Sequence, residues 1–98
     1  MMPKRSEKSI TKGILKYLNS IPGCYAKKRL AGPTRKGEPD ITGCYRGKRL
    51  EIEVKALGNT CTPLQKERLR IWESFGAMTG VAYNEDDAKE IMNKGLAL

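Results

Sequence analysis

The 98-residue chain has no histidine, which excludes Ser-His-Asp, Cys-His and histidine-metal chemistry at once. Its three cysteines, Cys24, Cys44 and Cys61, are odd in number, widely spaced and without a CxxC pair, so neither a structural zinc site nor a disulfide framework is expected. Reduced thiols fit a cytoplasmic protein. No apolar run approaches the length of a membrane span, and the basic N-terminus leads into no hydrophobic signal core; neither insertion nor secretion is expected. Internal repeats and low-complexity segments are also missing. Any hydrolytic chemistry must therefore rest on carboxylates, amines and a metal.

What the chain has in excess is positive charge. Nineteen Lys and Arg stand against eleven Asp and Glu, giving a formal net charge of +8 and a pI near 9.6. So large an excess on so short a chain favours a polyanionic partner, nucleic acid ahead of an anionic membrane. Solubility alone would also account for it, and charge does not separate an enzyme acting on nucleic acid from a packaging protein. The length supports one domain, over residues 6–98, behind a disordered basic tail at 1–5. A core this small makes dimerisation a natural way to bury more apolar surface.

The periodicities predict helix, three strands, helix, strand, helix: an α/β domain of order αβββαβα with a mixed sheet flanked by helices. Ser6 caps a helix with Ile10, Ile14, Tyr17, Leu18 and Ile21 at helical spacing, ending near Pro22-Gly23. A first strand is read over 24–30 and a basic loop over 31–38. Thr62 followed by Pro63 is a helix start. In that helix Gln65, Leu69 and Trp72 share one stripe, with Leu64, Ile71 and Phe75 on a neighbouring apolar face. Residues 78–83 form a short strand. Asn84 caps a last helix whose first-turn acids, Glu85, Asp86 and Asp87, complement the helix dipole and need no metal to explain them; Gly95 is expected to end it.

The central stretch is GEPDITGCYRGKRLEIEVK, from Gly37 to Lys55. Arg46-Gly47 is a turn signal between two β-rich runs, so the segment reads as a hairpin that brings Asp40 near Glu53 and Lys55. In the second run Leu50, Ile52 and Val54 alternate with Glu51, Glu53 and Lys55, one face for the core and the other for chemistry or solvent. Two hard carboxylates suit Mg²⁺ or Mn²⁺. Lys55 would orient a water or neutralise charge on a reacting phosphate. A bare ExK is also what an ordinary strand with a solvated polar face displays; the Pro39-Asp40 pair at hairpin distance favours the site.

Pro39-Asp40, twelve residues, then Glu53-Val54-Lys55 resembles the active-site signature of the PD-(D/E)XK nucleases. The fuller set, GEPDI, EIEVK and TPLQ, is similar to the virus-type replication-repair nuclease (VRR-NUC) domain, over nearly the whole chain from Ser6 to about Leu96. The resemblance implies a Mg²⁺- or Mn²⁺-dependent DNA endonuclease, and in its small stand-alone form a homodimer that cuts branched DNA in the manner of a Holliday-junction resolvase, encoded by a virus or phage and acting in the host cell. Asp40 and Glu53 would hold the metal with Glu7 and the Val54 carbonyl, while Lys55 and Gln65 orient the attacking water. Without the resemblance, Glu7 is a first-turn glutamate complementing the helix dipole and Gln65 a boundary residue capping backbone. Glu38, between Gly37 and Pro39, departs mildly from the pattern and is read as a spectator.

Lys27, Lys28 and Arg29 at the strand end, and Arg35 and Lys36 in the loop, are the candidate DNA-backbone contacts. A solvated strand face and a flexible charged connection are the plainer accounts of the two groups. The alternative function is a catalytically inactive nucleic-acid-binding module of the same fold that needs a partner.

Overall fold

The computed structural model describes residues 4–96. Arg46 and Gly47 both take positive φ, 49° and 82°, the two-residue turn whose twist matches antiparallel strands. It joins β2 (Ile41–Tyr45) to β3 (Lys48–Val54), with Tyr45 paired to Lys48 and Ile41 to Ile52. β1 (Cys24–Lys28) adds antiparallel to β2, and β4 (Met78–Ala82) adds parallel to β3, giving a four-stranded mixed sheet in the order β1-β2-β3-β4. The helices are α1 (Glu7–Asn19), α2 (Pro63–Ser74) and α3 (Glu85–Leu96). The molecule is thus α/β, in the expected element order.

The helix starts follow from their caps. Ser6 Oγ accepts the Ser9 N–H, and Asn84 Oδ1 accepts the Asp87 N–H. At α2 the cap is reciprocal: Thr62 Oγ1 accepts the Gln65 N–H while Gln65 Oε1 accepts the Thr62 N–H, satisfying two donors that a helix start otherwise leaves open. Gly95 does not end α3. It lies inside the helix and packs so tightly that a Cβ there would sit 2.2 Å from Met78 Cγ.

The two faces of the sheet differ sharply. One is covered by α1 and α3 and holds the apolar core: Ile10, Ile14 and Leu18 against Ile41, Leu50, Ile52, Val54, Met78, Ala82 and Met92. The other is partly covered by α2, with polar residues beneath it. Of the two roles expected for the polar face, chemistry or solvent, solvent is excluded at Glu51 and Glu53, which are 0% and 2% exposed.

Several boundaries move. The first strand ends at Lys28, two residues short of the expected limit, and the fourth at Ala82. Phe75, read as part of an apolar face, is 86% exposed. Of the expected N-terminal tail, residues 1–3 lie outside the described part, but Arg5 is held by a two-pronged pair with Glu85, at 2.7 and 3.0 Å. Among the described residues no helix is long and apolar enough to cross a membrane.

Candidate active site

The hairpin register builds the site. With Ile41 opposite Ile52, one further step places Asp40 opposite Glu53, and directly opposed side chains share a face roughly 5 Å apart. Three groups fix Asp40. Its carbonyl accepts the Arg29 N–H at 2.7 Å, Oδ2 accepts the Val54 N–H at 3.0 Å, and Oδ1 accepts from the Arg35 guanidinium at 2.7 Å. The loop enters through Gly37, with φ of 78° and Leu64 so close that an added Cβ would meet its Cγ at 2.5 Å. Only glycine combines that backbone with that approach to α2.

The two carboxyls have opposite electrostatic fates. Burial pushes Glu53 up, and the neighbouring Asp40 adds to the effect through hydrogen bonding and repulsion, raising its pKa to about 8 against the opposing pull of Lys55 and Arg35. Burial would raise Asp40 too, but its hydrogen bonds to Glu53, to the Val54 N–H and to Arg35 outweigh it and hold this carboxyl below the usual range. Two carboxyls confined together favour one neutral and one charged form, and here it is Glu53 whose pKa is raised and Asp40 whose pKa is lowered. Glu53 Oε1 is buried with no hydrogen-bond partner, while Oε2 receives a long contact, 3.5 Å, from Gln65 Nε2. An orphaned carboxylate oxygen beside a second carboxylate is the donor set a hard dication takes: it would displace the Glu53 proton and occupy the open oxygen.

The structure brings Asp40, Glu53, Lys55 and Gln65 together. Gln65 caps the helix through Oε1, the plainer of the two readings, and its Nε2 also lies 3.5 Å from Glu53 Oε2. Val54 lies between the two site side chains, its own side chain in the core and its N–H on Asp40. The Glu7 carboxylate contacts the Ala56 N–H and Asn59 Nδ2, both at 3.4 Å, and so braces the loop that follows Lys55. Among the described residues no three acids, cysteines or histidines gather as a metal cluster. The remaining positions around a cation here would be filled by water, backbone and substrate oxygens, as Mg²⁺ commonly allows.

Two residues along β3, Glu51 anchors a second polar cluster. Its Oε1 accepts from Arg29, and its Oε2 accepts from Thr42 Oγ1 and, at 2.9 Å, from Arg49 Nε. The Arg49 and Arg29 guanidinium carbons lie 4.6 and 5.7 Å from the centre of the Trp72 ring, positions that draw on the ring's negative face. Trp72 Nε1 in turn donates to Glu38 at 3.0 Å, and Arg68 Nε reaches Glu38 at 3.4 Å. Glu38 is thus no spectator but the clasp between the loop and α2. Nothing in the local sequence signals this, because the partners lie 30 and 34 positions away.

The expected DNA contacts divide accordingly. Arg29 is tied inward, by Nε to the Pro39 carbonyl at 3.0 Å and by its terminal nitrogen to Glu51, so its role is to hold the loop. Arg35 is paired with Asp40. Lys27, Lys28 and Lys36 are exposed and make no ion pair among the described residues. Cys61, not singled out by sequence, lies within electrostatic reach of the site; its thiol is raised by burial and by Glu53. Compared with known proteins, the chain matches no family model, no curated protein and no solved structure.

Proposed function

We propose that this protein is a Mg²⁺- or Mn²⁺-dependent DNA endonuclease of the PD-(D/E)XK kind, nearest in its motifs to the VRR-NUC domains. The observation that carries the proposal is the buried, unpartnered oxygen of Glu53 placed opposite Asp40 and beside Lys55. The four-stranded mixed sheet with helices on both faces is compatible with such a core.

In this reading Asp40 and Glu53 hold the cation, with the Val54 carbonyl as a further ligand. A cation bound there would lower the pKa of its water and polarise the phosphate. Lys55 orients that water and offsets charge developing on the phosphate oxygens, and Gln65 fixes the Glu53 carboxylate from the helix start. Glu7 supports the loop after Lys55, one step removed from the ligands. Exposed Lys27, Lys28 and Lys36 supply salt-dependent affinity for the DNA backbone without reading bases. Preference for branched DNA would then come from shape and from a homodimer that presents two sites.

The test is cleavage of labelled four-way junction, flap and linear duplex DNA by wild-type and Lys55→Ala protein, with Mg²⁺, Mn²⁺ or EDTA. Metal-dependent, symmetric nicks across the junction that vanish in the variant are expected. Binding of all three DNAs without cutting would reject the nuclease and leave a nucleic-acid-binding module.

A further inference from the structure

Beside Asp40 opens a cleft of about 380 Å³ lined by Lys28, Arg29, Leu30, Ala31, Arg35 and Asp40. Three of these six are cationic, yet they are not equivalent. Arg29 is held by the Pro39 carbonyl, Glu51 and Glu38. Lys28 is exposed at the end of β1 and makes no ion pair among the described residues. Arg35 has one partner, Asp40 Oδ1 at 2.7 Å, and its side chain is 25% exposed.

That partnership conflicts with the cation site. Both Asp40 oxygens are engaged, Oδ2 by the Val54 N–H and Oδ1 by Arg35, while Glu53 beside it has an oxygen free. A dication between the two carboxyls would meet a guanidinium already on one of them. Like charges this close in a half-buried site repel strongly, so only one can stay. The Val54 N–H belongs to the backbone and cannot leave. Arg35 can: it lies in a loop between two turns, the Arg35 N–H donating to the Gly32 carbonyl and the Glu38 N–H to the Arg35 carbonyl, with the open cleft beside it.

We propose that this cleft is a site for a DNA backbone phosphate and that Arg35 is its cation-gated ligand, paired with Asp40 in the metal-free protein and released to the phosphate when a dication binds. The proposal rests on the reading of Asp40 and Glu53 as a cation site. A guanidinium presents a planar fork that matches two phosphate oxygens, and Lys28 on the same wall adds a second positive charge. In the metal-free protein the guanidinium compensates Asp40; in the loaded protein its charge passes to the substrate. Cation and DNA then bind cooperatively, because each favours the same position of Arg35, and the coupling must be reciprocal.

The test begins with calorimetric titration of Mn²⁺, without DNA, into wild-type, Arg35→Gln and Arg35→Lys proteins. Arg35→Gln removes the competitor and is expected to bind Mn²⁺ about 5- to 50-fold more tightly; Arg35→Lys keeps the charge and stays near wild type. A labelled duplex is then titrated by fluorescence anisotropy in Ca²⁺ or in EDTA. Wild-type affinity should rise when Ca²⁺ replaces EDTA, and Arg35→Gln should lose most of that rise while matching wild type in EDTA. Equal Mn²⁺ affinity in wild type and Arg35→Gln overturns the gate and leaves the metal site standing. Absence of Mn²⁺ binding in every protein overturns the metal site and the gate with it. A loss of DNA affinity as large in EDTA as in Ca²⁺ makes Arg35 a constant phosphate contact and rejects the switch.

Discussion

Glu51 and Glu53 stand two residues apart on one face of one strand, both out of solvent, and the protein treats them in opposite ways. Around Glu51 every oxygen is satisfied: two arginines and a threonine donate to it, and Trp72 lies against both arginines. Around Glu53 the nearest strong partner is another carboxyl, one oxygen is orphaned, and the pKa is raised to about 8. A buried charge that is fully paired holds structure together, whereas one left short of partners is held in readiness for a ligand. The same side chain at the same depth is thus fully paired at one position and, in the function proposed above, a cation ligand two residues on.

Removing the carboxylate at the first position should have the largest effect. Glu51→Ala leaves Arg29 and Arg49 without their buried counter-ion, a change that typically costs about 3–5 kcal/mol. At roughly 4–8 °C per kcal/mol for a domain of this size, the melting temperature should fall by at least about 12 °C, read by circular dichroism. A fall of only a degree or two would mean that the cluster is ornamental.

Glu53→Gln should behave in the opposite sense. Glu53 ionises in the unfolded chain near 4.5 and in the folded protein near 8; because the folded state holds the proton more tightly, the stability it contributes is complete below pH 4.5 and is lost as the pH rises through 8. An amide in its place removes that loss, so metal-free Glu53→Gln should be more stable than wild type at pH 9, by on the order of 1–3 kcal/mol. Its stability should also be flat between pH 5 and 8. The acid limb should remain, because Asp40 has a lowered pKa and contributes stability that disappears as the pH falls. Urea melts across this range check both limbs, and an unchanged alkaline slope would show that Glu53 does not hold its proton toward pH 8 in the folded protein.

The smallest effect should come from the helix that serves the functional position. Thr62→Ala removes the hydroxyl that accepts the Gln65 N–H, at a cost of about 1 kcal/mol, while the backbone N–H of residue 62 still holds the Gln65 side chain near Glu53. We expect a modest fall in melting temperature with the Trp72 fluorescence of the neighbouring cluster preserved. A large change in that fluorescence would show that the two regions are not separable.

Much of the frame was legible because its causes are local. Arg46-Gly47 dictates a tight hairpin, Ser6, Thr62-Pro63 and Asn84 dictate helix starts, and the resulting register puts Asp40 opposite Glu53 without help from any distant residue. The errors also have physical causes. Alternation along 50–55 left the second face open to chemistry or to solvent; the crossover through α2 carries Leu64, Leu69 and Trp72 over it, and a two-residue period does not report what lies above it. Glu38 was read as a spectator because its partners, Arg68 and Trp72, come from the far side of that crossover. The pairing of Arg29 with Glu51 and of Arg35 with Asp40 was not foreseen for these candidate DNA contacts, because a sequence shows charge but not pairing.

By itself, then, the sequence determined the order of elements, the hairpin, the caps and the set of residues able to do chemistry, since these depend on backbone preference and short-range spacing. Only the tertiary structure decided which of two neighbouring glutamates is neutralised by arginines and which is left with an open oxygen. It also put the Glu7 carboxylate on the loop after Lys55 and set Arg35 against Asp40. Those outcomes depend on local dielectric and on partners brought in from distant parts of the chain, and neither exists until the helices have packed on the sheet.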